Sequence, residues 1–286
     1  MATRNATIEP KKGVSNESSS VRRIAFYAIV LLGTLIPIAV FGPFLAFPLF
    51  GWFDPAVAQN THFLHDLAFI GVVLVGVIGM ATQLYKPEQR VAGLQQTLIV
   101  FGMFLATMAG IRLAGDAGIL AEAPFFVILF GPAVVAALLH PAGRKLFRIR
   151  MAGRFSPVLA GIVMVAAIPL AMYAVSQFGL HWSGDEHAVI NHYAGMVVYT
   201  GVIIALGILA SLKPAGWRIP LYSAAGLAVM LGVASVLYST MPSGVGTTWG
   251  TAAIVWAVAF VVAGEMSARR GDDTRHAASD PDARMG

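Results

Sequence analysis

Eight apolar runs, each about twenty residues long and bounded by proline, glycine or charge, constrain this chain more than any other feature. They fall at 22–43, 63–85, 94–113, 123–140, 156–178, 192–212, 217–239 and 246–267. As an α-helix, a run of that length covers roughly 30 Å, the hydrocarbon thickness of a bilayer. Inside lipid no water satisfies backbone N–H and C=O groups, so a spanning segment of this kind must be helical. The sequence therefore predicts an all-α, polytopic integral membrane protein with eight transmembrane helices. Composition agrees: 57% of the 286 residues are hydrophobic and 12% charged, against roughly 45–50% and 25% in soluble domains.

The net charge of +5 does not point to nucleic acid, because the basic residues fall in short runs between spans. When loops are assigned alternately to two sides, 18 of the 19 Lys and Arg collect on the side of the termini. They are Arg4, Lys11, Lys12, Arg22 and Arg23 in the first tail, Lys86 and Arg90, then Arg144, Lys145, Arg148, Arg150 and Arg154. Lys213 and Arg218 follow, and Arg269, Arg270, Arg275 and Arg284 complete the set. Arg112 alone lies opposite. Basic loops stay in the cytoplasm, so both termini are expected there, in a cell membrane.

Residues 1–21 and 271–286 are polar and read as disordered cytoplasmic tails. A twin-arginine export signal at Arg22-Arg23, with Ala56-Val57-Ala58 as its cleavage site, is disfavoured because the apolar stretch between them far exceeds a signal core. There are no cysteines, which excludes disulfides, thiolate metal sites, iron–sulfur clusters and covalently attached haem.

The chain also repeats itself. Arg22 precedes Pro37 by the same interval as Arg154 precedes Pro169, and His65 precedes Lys86-Pro87 by the same interval as His192 precedes Lys213-Pro214. The expectation is two four-helix units, 22–150 and 151–270, in parallel orientation about a pseudo-twofold axis along the membrane normal. Pro37, Pro132 and Pro169 fall within spans and shape packing. Gly76, Gly79, Gly131, Gly195 and Gly226 are expected to let helices approach closely. Phe50, Trp52, Phe53, Trp182, Trp217 and Trp249 suit an interfacial aromatic belt.

The chemistry concentrates on the outer side, which holds His62, His65, His181, His187 and His192, whereas His140 lies at the inner face and His276 in the tail. His62 and His65 share a helical face with Asp66 beside them. Imidazoles with a nearby carboxylate are what a transition-metal site requires, giving His62, His65, Asp66, His187 and His192 as metal candidates. If an axis relates the halves, His65 and His192 are equivalent. They could then ligate one b-type haem, with Arg112 on a propionate. A plainer account leaves these histidines at the interface without a ligand, pairs Arg112 with Asp116 and Glu265 with Arg269, and leaves His181, Asp185 and Glu186 in a solvated loop.

The middle of the spans carries almost no ionisable residue, which argues against a proton-driven carrier. No P-loop, zincin or nucleophile-elbow motif is present, and no catalytic residue is assigned. Three functional readings follow: a haem or metal protein with redox partners, a small-molecule permease with its site between the repeats, and an accessory subunit of a membrane complex.

Overall fold

A computed structural model of the chain describes residues 13–45, 50, 52–54, 56, 62–147 and 155–279, with backbone alone at 13–19, 45 and 270–279. Arg4, Lys11, Lys12, Val57, Ala58, Arg148, Arg150, Arg154 and Arg284 lie outside the described residues, as do the side chains of Arg270, Arg275 and His276.

Among the described residues eight long helices form, one per apolar run: α1 (Gly13–Phe41), α2 (Phe63–Ala81), α3 (Val91–Leu113), α4 (Ala123–Leu139), α5 (Pro157–Leu180), α6 (His192–Ser211), α7 (Arg218–Leu237) and α8 (Gly246–Ser279). Every one is long and apolar enough to cross a membrane, and no strand occurs among the described residues. Helical backbone extends from Gly13 and continues to Ser279, into both segments whose composition suggests tails.

Within each half, every helix packs on its neighbour in sequence and the fourth packs back on the first. Side-chain hydrogen bonds close both rings. Arg22 on α1 donates to the carbonyl of Leu138 on α4 at 3.0 Å, and Trp256 on α8 donates to that of Ile162 on α5 at 2.9 Å. The halves meet through α2 and α3 on one side and α6 and α7 on the other. These four helices are the most buried, whereas α5 and α8 turn most of their apolar surface outward. Exposed Val158, Val165, Ile168, Met172 and Val175 on α5 form a face that only lipid or another apolar surface can cover.

Glycines set the closest approach between α2 and α3. A Cβ on Gly79 would collide with the Gly93 carbonyl of α3, while Gly76 makes room for Phe130 of α4, 2.8 Å from where its Cβ would stand. That proximity lets Gln96 and Thr97 donate from α3 to the carbonyls of Val75 and Gly76 at 2.7 and 2.8 Å. Gly232 and Gly250 play the same part between α7 and α8. Gly131, Gly195 and Gly226 do not, since a Cβ there meets no neighbouring helix within 4 Å; small size alone does not reveal which face of a helix a glycine occupies.

At one end of the bundle, Lys86 and Lys213 stand immediately before prolines with the same φ of +47°. Lys86 lies over the Tyr85 ring at 5.0 Å and Lys213 over Trp217 at 4.7 Å. Ala92 donates to the carbonyl of Ala215 across the halves at 2.9 Å. His140 is buried at this end, with Ala142 N–H bonded to its Nδ1 at 3.0 Å and its Nε2 3.1 Å from Gln83 Oε1. Glu265 pairs here with Arg218, at 2.8 and 2.9 Å, rather than with Arg269. The bidentate fork of an arginine on α7 outcompetes a neighbour one turn along the same helix.

Candidate metal centre at the histidine end

The opposite end begins α2 and α6, so their first turns meet. Asp66 sits in the first turn of α2, where the helix dipole favours an anion. Asn191, at φ +61°, turns the chain into α6. Just before it, Glu186–Val189 forms a single helical turn capped by Asp185, whose carboxylate accepts from Ala188 N–H at 2.9 Å and from the Tyr193 hydroxyl at 2.8 Å. These bonds, the backbone one foremost, hold the Asp185 carboxyl below the usual carboxylate range. They also fix the turn that carries His187.

Four histidines converge. The ligating nitrogens of His62, His187 and His192 all lie within 4.8 Å of one another, and the Nδ1 atoms of His62 and His192 are 3.2 Å apart. His65 is buried against them, its ring 4.7 Å from that of His187 and stacked on that of His192 at 4.8 Å. Carboxylates stand behind the other edges: His192 Nε2 is 4.0 Å from Asp66 and His62 Nε2 is 4.0 Å from Glu186.

A hydrogen-bonded string orients His65. The Ser243 hydroxyl has one proton, which it donates to Gln177 Oε1 at 2.7 Å. Its contact with His65 Nε2, at 2.8 Å, is therefore one in which the ring donates, and the lone pair of neutral His65 resides on Nδ1. Tyr173 holds the same turn by donating to the Ser243 carbonyl at 2.6 Å, and Ser243 itself sits at φ +60°.

The structure thus brings together His62, His65, Asp66, His187 and His192. Arg112 stays apart: it is exposed at the end of α3 and forms no ion pair among the described residues. Asp116 pairs with His181 instead, at 2.9 Å. The hydrogen bond from His181, with a further one from Gly118 N–H, holds the Asp116 carboxyl below its ordinary range. The 181–187 loop is correspondingly structured rather than merely solvated, since His181 and His187 are both buried. Ser243, Gln177 and Tyr173 are not singled out by sequence reasoning. The available signal was Gln177, an amide near the end of an otherwise apolar run.

Compared with family models, curated proteins and solved structures, the chain matches none.

Proposed function

We propose that the protein is a multi-pass cell-membrane protein that binds one divalent transition-metal ion through His62, His187 and His192. The observation that carries this reading is the convergence of three imidazole nitrogens, from the residue preceding α2, the 186–189 turn and α6, within 4.8 Å. Two nitrogens 3.2 Å apart subtend an angle of about 100° at an ion roughly 2.05 Å from each, close to tetrahedral. Asp66 and Glu186, each 4.0 Å from the far nitrogen of a candidate ligand, stand where carboxylates orient metal-bound imidazoles. Imidazole donors without thiolate suit Zn²⁺ or Cu²⁺, and copper would give the site electron-transfer chemistry with a redox partner.

The same geometry favours a metal ion over haem. The His65 and His192 rings stack face to face, 4.8 Å between centroids and 24° between planes. Axial ligands of one haem instead direct in-plane lone pairs at an iron from opposite sides of a porphyrin.

Two architectural readings belong with this proposal. The basic-residue asymmetry supports cytoplasmic termini, which puts the metal centre on the outer face. The ring-like packing of each half, the meeting of α2 with α6, and the matched Lys86 and Lys213 turns support a duplicated four-helix unit in parallel orientation.

The test is metal analysis of detergent-purified protein, chelated, reloaded with Zn²⁺ or Cu²⁺ and dialysed. The expected result is one ion per chain, lost in His187→Ala and His192→Ala and retained in His276→Ala. No retained ion in the wild type would overturn the reading.

A further inference from the structure

Beside the histidine cluster the two halves leave a cavity of about 260 Å³, walled by α2, α3, α4 and α6. Its lining is graded. Asp66, Glu122, Asn191 and His192 stand at the rim, while Phe69, Phe104, Phe126 and Val198 lie deeper. From His192 to Val198 the wall descends about 9 Å, at 1.5 Å per helical residue. The Phe104 and Phe126 rings stack at 4.2 Å, with Phe69 6.1 Å from Phe104. No lysine or arginine lines the cavity, and its acidic side chains are Asp66 and Glu122. Gly195 also belongs to the wall, and a Cβ there meets nothing within 4 Å, so the missing side chain keeps the space open.

We infer that this cavity binds a small organic cation, an amine or quaternary ammonium with an aromatic or alkyl body. Carboxylates at the rim attract positive charge and repel anions, which excludes a fatty acid or a phosphate. The phenyl walls offer a hydrated inorganic ion nothing, but they cover the apolar body of a ligand whose ammonium lies at the rim carboxylates. At roughly 30 Å³ per small group, the space suits a ligand of about ten non-hydrogen atoms.

The inference and the metal reading can fail separately, because Glu122 and the aromatic lining take no part in the three-nitrogen set. His192 lies on both sites, and Asp66 serves both, behind His192 Nε2 in one and at the rim in the other. A bound metal ion therefore adds positive charge beside Asp66 and weakens the organic cation.

The test uses the full chain in detergent, treated with chelator, and calorimetric titration with benzyltrimethylammonium, with benzoate as the anionic control. One saturable site per chain is expected, with no benzoate binding. Asp66→Asn and Glu122→Gln should each weaken it at least five-fold, and Gly195→Leu should abolish it while gel-filtration elution is unchanged. Should Asp66→Asn fail to fold, the exposed Glu122 and the open Gly195 carry the test. Absence of saturable binding, binding untouched by Glu122→Gln and Gly195→Leu, or equal binding of benzoate would overturn the inference. Cation binding without zinc binding would overturn the metal reading alone, and zinc binding without cation binding would overturn this one alone.

Discussion

His62 and His192, 130 positions apart in sequence, bring their Nδ1 atoms to 3.2 Å. In the metal-free chain one ring donates to the other. With an ion present both lone pairs can turn to it, and each Nε2–H then faces a carboxylate.

That arrangement predicts a graded response to substitution. Glu186→Gln and Asp66→Asn should each lower Zn²⁺ affinity about 10–100-fold, as loss of an orienting carboxylate does. Loss of a ligand in His192→Ala should abolish retention altogether. Competition against a zinc chelator of known affinity would measure all three.

Ser243 is predicted to matter through its hydroxyl. Ser243→Ala leaves the buried His65 and Gln177 groups that it bridges without their shared partner, at a cost of about 1–3 kcal/mol. Ser243→Gly loses the same bonds but relieves the left-handed backbone, so it should be the less damaging of the two. Thermal unfolding in detergent would rank them, and the reverse order would contradict the hydrogen-bonded string.

Glycine substitutions should split by helix face. Gly79→Ala and Gly232→Ala drive a methyl into a neighbouring backbone and should cost about 1–3 kcal/mol. Gly226→Ala, where a Cβ meets nothing within 4 Å, should be neutral or stabilising through helix propensity. The measurement is the midpoint of thermal or denaturant unfolding in one detergent.

The buried imidazole at the opposite end of the bundle supplies a pH dependence. Burial holds His140 below the ordinary histidine value, so the folded chain refuses a proton that the unfolded chain accepts. Stability should therefore be intact above about pH 6.5 and decline as pH falls below it, levelling off once the folded-state value is passed. Substituting His140→Gln lowers stability at every pH through lost packing on Phe26, but should flatten this slope. An unchanged slope between pH 7.5 and 5.5 would count against the assignment.

Because the chain has no cysteine, single-cysteine variants can test sidedness without a background. Gly184→Cys, in the loop at the histidine end, should react with an impermeant maleimide added to intact cells. Gly143→Cys, at the opposite end, should react only after permeabilisation. The reverse pattern would put the histidine cluster on the cytoplasmic face.

The eight helices were legible because lipid imposes a local rule: about twenty apolar residues, helical, wherever they occur. All eight runs became helices, and their ends fall within a few residues of those expected except at the start of α1 and the end of α8, where helical backbone runs on to Gly13 and Ser279. His62, His65, Asp66, His187 and His192 were legible as chemistry because histidine and carboxylate are scarce in such a chain and crowd toward one end of it. Their meeting was legible only as an expectation drawn from the internal repeat, and only for His65 and His192. It depends on the packing of α2 against α6 and on the Asp185 cap that turns His187 inward, and both are contacts between segments whose separation no spacing rule spans.

The partners of Asp116 and Glu265 illustrate the limit. Helical periodicity suggested neighbours four residues away, whereas packing supplied His181 from the loop after α5 and Arg218 from α7 with better geometry. The sequence by itself determined the number of helices, the extent of their apolar spans and the end at which the reactive side chains collect, because these follow from transfer of single segments into lipid. Only the tertiary structure decided which glycines touch, that Ser243 and Gln177 orient His65, and where a cavity opens. Those depend on which faces of the helices meet, and a nearly all-apolar helix carries little amphipathic signal to fix that in advance.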